Sequence, residues 1–144
     1  GEYYWQKAFK HLAIEAYGIP SEKKCHPIYH DIAFLQLIGY HSEKMKYSVG
    51  IKHLPSTIFT NLLVKYLATK TDKTFLVLRS EALWKETFGE ALWNKLELEG
   101  RIVTKGHKGM SQKISRGNLK KNNGFDKLVN ILRTNHHNKI RLEI

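Results

Sequence analysis

Trp5, Ala8, Phe9, Leu12, Ala13 and Ala16 recur at three- and four-residue intervals, the mark of one buried helix face, and Gly18 with Pro20 supplies the stop. A polar stretch, 21–30, then gives way to Ile32-Ala33-Phe34-Leu35-Gln36-Leu37-Ile38, an almost unbroken apolar run of strand length. Such a run suits a central strand covered on both faces. Beyond a polar loop from Gly39 to His53, Pro55 and Ser56 offer helix-start chemistry, since proline fits the first helical position and serine favours the cap. Phe59, Leu62, Leu63, Tyr66 and Leu67 follow at helical spacing and are expected to face inward.

Thr74-Phe75-Leu76-Val77-Leu78 is a second buried-strand run, and Ser80 is placed to cap a helix opening at Glu81, Ala82, Leu83 and Trp84, which Gly89 breaks or bends. Arg101-Ile102-Val103-Thr104 reads as a third strand. After a glycine- and lysine-rich loop to Asn123, Phe125, Leu128, Val129 and Leu132 mark the inner face of a last helix. Lys139-Ile140-Arg141-Leu142-Glu143-Ile144 alternates strictly, as a half-exposed edge strand would. The order β-α-β-α-β-α predicts an α/β fold of three αβα layers, with a short, mostly parallel sheet, right-handed crossovers and helices on both faces. No internal repeat or heptad seam competes with it.

Length and composition fit that expectation. With 144 residues, 42% of them apolar, the chain can bury one sizeable core, so a single α/β domain spanning 1–144 is expected. The lone Cys25 leaves no internal disulfide, and no stretch reaches the roughly 18 uncharged apolar residues of a membrane span. A soluble, reducing setting, cytoplasmic or nucleoid-associated, with no membrane partner, is the expectation. The chain opens Gly1-Glu2-Tyr3 without an initiator methionine, and it is read as the C-terminal part of a longer protein.

Charge changes the picture more. The net charge is +11, yet from Gly100 to Leu142 eleven Lys or Arg face one acid, Asp126, so that segment carries +10 and the remainder +1. A stretch so one-sided repels itself unless anions neutralise it, and phosphates that do so release condensed cations. Nucleic acid, DNA before RNA, is the expected partner; a solubilising face or an anionic lipid surface is the alternative.

In an open parallel sheet, ligands gather beyond the carboxyl ends of the strands. There the sequence places Tyr40, His41, Ser42 and Lys44 after the first strand, and Arg79 and Ser80 after the second. After the third come Lys105, His107 and Lys108, then Lys113, Ser115-Arg116-Gly117-Asn118 and Lys120. Glycine lets backbone amides approach a phosphate, hydroxyls donate to its oxygens and cations attract it, so together these would form a phosphate-gripping rim. Each set alone is better read as a polar loop that caps a helix or turns the chain; all three on one sheet edge point to the rim. Cys25, His26, His30 and Asp31 are ligand types for zinc, but no second pair matches them, so neither a metal nor a cofactor is expected. His136 and His137, and the Arg133–His137 spacing, read as surface features.

The order of strand, His41-Ser42 loop, Pro55-Ser56 helix start, strand ending in Arg79-Ser80, helix bearing Trp84, strand, and Ser115-x-Gly117-Asn118 before the helix at Phe125 resembles the uracil-DNA glycosylase superfamily. It looks most like the divergent bacterial members of unassigned substrate, and the likeness covers about residues 30 to 134. It implies that Gln36 stands where the family carries a base-reading asparagine, its amide offering a donor and an acceptor to a base edge. It also implies that Ile114–Asn118 stands where the family has its His-Pro-Ser loop. That histidine is missing here, although Ser115 keeps a hydroxyl and His107 lies in the same loop. The family's Gly-Gln-Asp-Pro-Tyr-His motif is nowhere in the chain, so catalysis would need a segment before residue 1, and the catalytic candidates within the chain itself are His41 and His107.

Two non-enzymatic alternatives stand beside a glycosylase-like hydrolase. One is an accessory binding module using the same rim. The other is a winged helix in which Ala91–Leu96 reads DNA and Gly100-Arg101-Ile102-Val103 forms the wing.

Overall fold

The computed structural model describes residues 2–20, 26–37, 49–105, 113–119 and 121–142. It is mostly helical with a small parallel sheet, a mixed α/β content. Six helices, α1 (Glu2–Tyr17), α2 (Ile28–Asp31), α3 (Pro55–Lys70), α4 (Glu81–Phe88), α5 (Glu90–Leu98) and α6 (Gly124–Leu142), accompany two strands, β1 (Phe75–Val77) and β2 (Ile102–Thr104), among the described residues. Where one domain is expected, the chain packs as two compact units, Gly1–Ala33 with Val103–Ile144, and Phe34–Ile102.

The first unit joins the two ends of the sequence. Ala8, Phe9, Leu12, Ala13 and Ala16 of α1 are buried, as are Phe125, Leu128, Val129 and Leu132 of α6, so both predicted inner faces hold at these positions, while the burial of Trp5 lies outside what is described. Gly18, at φ +69°, ends α1 with its N–H on the Ile14 carbonyl, a conformation open to glycine at little cost. Ile114 and Leu119 plug the same core, and the Ile114 N–H donates to the Ala8 carbonyl at 2.9 Å. Gly124 opens α6 where space is shortest: a Cβ there would lie 2.7 Å from Val103 Cγ1 and 3.3 Å from the Leu119 carbonyl oxygen.

The second unit is built on Val64, Ala68, Val77, Phe88, Trp93, Leu96 and Ile102. Phe88 anchors it, with ring centroids of Phe75 and Trp93 at 5.1 and 5.9 Å in edge-to-face attitudes. Gly89, at φ +84°, separates α4 from α5, as its position in the sequence predicts. The α4–α5 pair crosses from β1 to β2, and the Phe75 N–H donates to the Arg101 carbonyl where the strands meet.

Arg101 staples this unit. Its guanidinium, 17% exposed, donates to the carbonyls of Ala68, Thr71 and Lys73 and pairs with Glu99. These carbonyls lie at and just beyond the end of α3, where a helix leaves its last acceptors without partners.

Several sequence expectations are corrected. Residues 32–37 join no ladder; Ile32 leaves α2 in an extended conformation, and Phe34 and Leu35 are exposed. An apolar run becomes a strand only if a neighbour offers a ladder, and here the Thr60 hydroxyl reaches the Gln36 carbonyl instead, at 3.3 Å. Residue 38 lies outside the described residues. Helix α3 forms where Pro55 predicts, but Phe59, Leu62 and Tyr66 face solvent at 65%, 65% and 60% exposure, while Thr57, Val64 and Ala68 are buried. The buried face is the one of small and β-branched side chains, which lets neighbours approach closely.

Ser80 adopts φ +54° and makes no side-chain cap; its main-chain carbonyl instead accepts from Leu83 and Trp84. The expected edge strand at 139–144 is helix through Leu142, since a six-residue alternation without a partner strand yields to extension of an established helix. The pairing of β1 with β2 is parallel, whereas the wing of a winged helix is an antiparallel hairpin, and Trp93 and Leu96 of the suggested reading helix are buried.

Candidate nucleic-acid interface

The last third of the chain carries the positive charge, and the structure gives several of those cations internal partners. Besides Arg101, Arg133 donates to the Glu15 main-chain carbonyl from both Nε and Nη2, at 3.1 and 2.6 Å. Glu15 lies in the last turn of α1, so Arg133 caps that helix end. Lys139 pairs with Asp31. Arg116 holds Asp126 at 2.8 Å and Glu15 at 3.7 Å, and its guanidinium carbon sits 5.1 Å from the Phe125 ring centroid. The hydrogen bond to Asp126, with that acid's charge behind it, raises the pKa of Arg116.

The expected phosphate loop is a pinned turn. The Ser115 carbonyl accepts from the amides of Asn118 and Leu119, both at 3.0 Å, and the Asn118 side chain donates to the Lys113 carbonyl at 2.7 Å. Lys113, Arg116 and Gly117 are exposed, and Ser115 and Asn118 are half-buried. A shallow depression of about 150 Å³, lined by Arg116, Leu119, Asn123, Phe125 and Asp126, adjoins this turn. It is smaller than the roughly 300 Å³ and more of typical small-molecule pockets.

The turn therefore gathers Lys113 and Ser115–Asn118 in one place within the first unit, where Lys105 also belongs. Gln36, Arg79 and Ser80 belong to the second unit, and all three are exposed. Tyr40, His41, Ser42, Lys44, His107, Lys108 and Lys120 lie outside the described residues.

The sequence reading put His137 at the surface but did not join it with Asn130 and Thr134 into one outward face of α6. Asn130, Thr134 and His137 recur at four- and three-residue intervals and are exposed, opposite the buried Phe125, Val129 and Leu132. After Asp126 no acid follows on this helix, whose sequence adds Lys127, Arg133, Lys139 and Arg141. The signal was available as the complement of the apolar stripe Phe125, Leu128, Val129 and Leu132.

A second polar cluster lies in the first unit. Asp31, with its side chain 4% exposed, accepts from the Tyr17 hydroxyl at 2.6 Å and from Lys139. Burial alone would raise the Asp31 pKa; the bonds from Lys139 and Tyr17 and the nearby His136 outweigh it and hold the carboxyl below its ordinary value. Burial first, and then Asp31, push the Tyr17 phenol upward. His26, fully buried, accepts the Ile28 N–H at Nδ1, and its Nε2 lies 2.9 Å from the Ile19 carbonyl, which fixes the tautomer with hydrogen on Nε2. His26 thus serves as a bracket for the chain around α2. Among the described residues no group of three His, Cys, Asp or Glu could hold a metal ion, and no helix is long and apolar enough to cross a membrane.

These features define a mixed α/β protein whose last helix turns a polar, acid-free row outward. Compared with protein-family models, with curated proteins and with solved structures, the chain matches none.

Proposed function

We propose that the protein binds nucleic acid, DNA before RNA, through the outward face of α6 and the turn at Lys113–Asn118. The observation that carries this reading is the α6 face itself: Asn130, Thr134 and His137 exposed in one row, on a helix with no acid after Asp126. Amide and hydroxyl side chains hydrogen-bond base edges, and an α-helix fits the roughly 12 Å major groove. Neighbouring lysines would supply phosphate contacts that set register. The phosphate contacts are expected from Lys113 and Lys121, both exposed, and from Lys127 on α6. On this reading the protein works in the cytoplasm or nucleoid.

Anisotropy titrations of labelled duplex, single-stranded DNA and RNA across a salt series test it. The log-log salt slope should be steep for wild type, and each of Lys113→Ala, Lys121→Ala and Lys127→Ala should make it shallower by about 0.9 for every duplex phosphate left without its cation. Asn130→Ala and His137→Ala should narrow the affinity gap between duplex sequences. A slope unchanged in all three lysine variants overturns the assignment.

A glycosylase-like hydrolase is the second reading, favoured by the pinned Ser115–Asn118 turn immediately before α6, where the resemblance puts the family's backbone-pinching loop. It carries with it a three-layer αβα core and a base-reading role for Gln36. Abasic sites formed in uracil-containing or modified DNA would establish it; DNA left whole by a protein that binds it assigns binding alone.

A further inference from the structure

Helix α3 is turned the opposite way from an ordinary amphipathic helix. Among the described residues, the Ser56 and Thr57 hydroxyl oxygens and Asn61 Oδ1 of α3 are buried with no hydrogen-bond partner, while Ile58, Phe59, Leu62 and Tyr66 are exposed. A buried polar atom without a partner costs about 1–3 kcal/mol, and a row of large exposed apolar side chains marks a surface that meets something. Phe59, Leu62 and Tyr66, three and four residues apart, form one stripe about two helical turns long.

The charge around the stripe selects among occupants. Helix α3 has no acidic residue, and Lys65 and Lys70 stand exposed on it. A second copy of this chain would set the same exposed Lys65 and Lys70, with no acid on α3 to answer them, against the stripe, which opposes self-association there. We propose that the Ile58–Tyr66 stripe of α3 is a docking surface for an acidic amphipathic helix of a partner protein. Its apolar face would cover Phe59, Leu62 and Tyr66, and its flanking carboxylates would meet Lys65 and Lys70, the helix-on-apolar-surface mode of recognition. This surface belongs to the second unit and stands apart from the nucleic-acid reading.

The test uses the full chain and a labelled 16-residue probe peptide, apolar at i, i+3, i+4 and i+7 and otherwise rich in Glu. Its partner in the experiment is an isomer of identical composition with the apolar residues dispersed. The amphipathic peptide should bind at least about ten times tighter than the isomer. Phe59→Ser with Leu62→Ser should abolish that preference, while the thermal midpoint stays within a few degrees because both side chains are already exposed. Lys65→Glu with Lys70→Glu should weaken binding severalfold, and more at low salt than at high. Equal binding of the two peptides overturns the proposal. So does a wild-type dimer in sedimentation that Phe59→Ser with Leu62→Ser dissolves, which would make the stripe a self-contact. Displacement of the peptide by single-stranded oligothymidine, abolished in Phe59→Ser, overturns it in favour of base stacking.

Discussion

Arg133 and the main-chain carbonyl of Glu15 are joined across 118 positions of sequence by two hydrogen bonds, so a cation of the basic third closes the end of α1. Arg133→Met keeps the aliphatic stem and removes the donors. It should lower stability by about 1 kcal/mol in urea melts. If Arg133 acts only as this cap, the salt slope of DNA binding stays at the wild-type value.

Arg101 gathers three carbonyls and one carboxylate with a planar fork, which a lysine ammonium cannot span. Arg101→Lys should therefore destabilise the fold by about 2 kcal/mol, nearly as much as Arg101→Ala. Guanidinium melts of the two variants, compared side by side, check this; full rescue by lysine would show that charge alone matters there.

Gly124 has no room for a methyl group against Val103. Gly124→Ala should lower the thermal midpoint by several degrees despite alanine's better helix propensity. Val103→Ala in the same chain should recover part of that drop, and the double-mutant cycle measures the coupling.

Asp31 is ionised in the fold with its pKa held down. A carboxyl whose pKa is lowered by folding stabilises the protein above its unfolded value, and that contribution disappears as pH falls through the folded value. The stability gap between wild type and Asp31→Asn should thus be full at neutral pH and shrink below about pH 4, as urea melts across that range would report. A gap that grows on acidification would contradict the pairing with Lys139 and Tyr17.

The orientation of α3 is checked by two truncations. Val64→Ala, on the inner face, should cost about 1–2 kcal/mol, and Phe59→Ala, on the outer face, within about 0.5 kcal/mol of nothing. Reversed magnitudes would put the large apolar side chains inside.

Periodicity located the helices well where one face alone was apolar. In α1 and α6 the apolar residues form single stripes, so the pattern leaves one way to bury them, and Phe9, Leu12, Phe125 and Leu132 lie where it puts them. Local punctuation was equally legible: Gly18 and Gly89 take positive φ, and Pro55 opens α3. The runs at β1 and β2 were visible because each is short, β-rich and flanked by turn or cap residues.

Tertiary structure decided the rest. Apolar residues surround α3, so its sequence permits more than one buried face, and packing against Val77, Phe88 and Trp93 selected the small-residue side. Residues 32–37 could read as a strand because strand identity belongs to a pair and not to a segment; they join no ladder, and the Gln36 carbonyl takes a hydrogen bond from Thr60 of α3 instead. The basic third fixed the sign and size of the charge. Which cations face solvent and which close helix ends, as Arg101 and Arg133 do, depends on carbonyls far away in sequence, and no local pattern encodes where those come to lie.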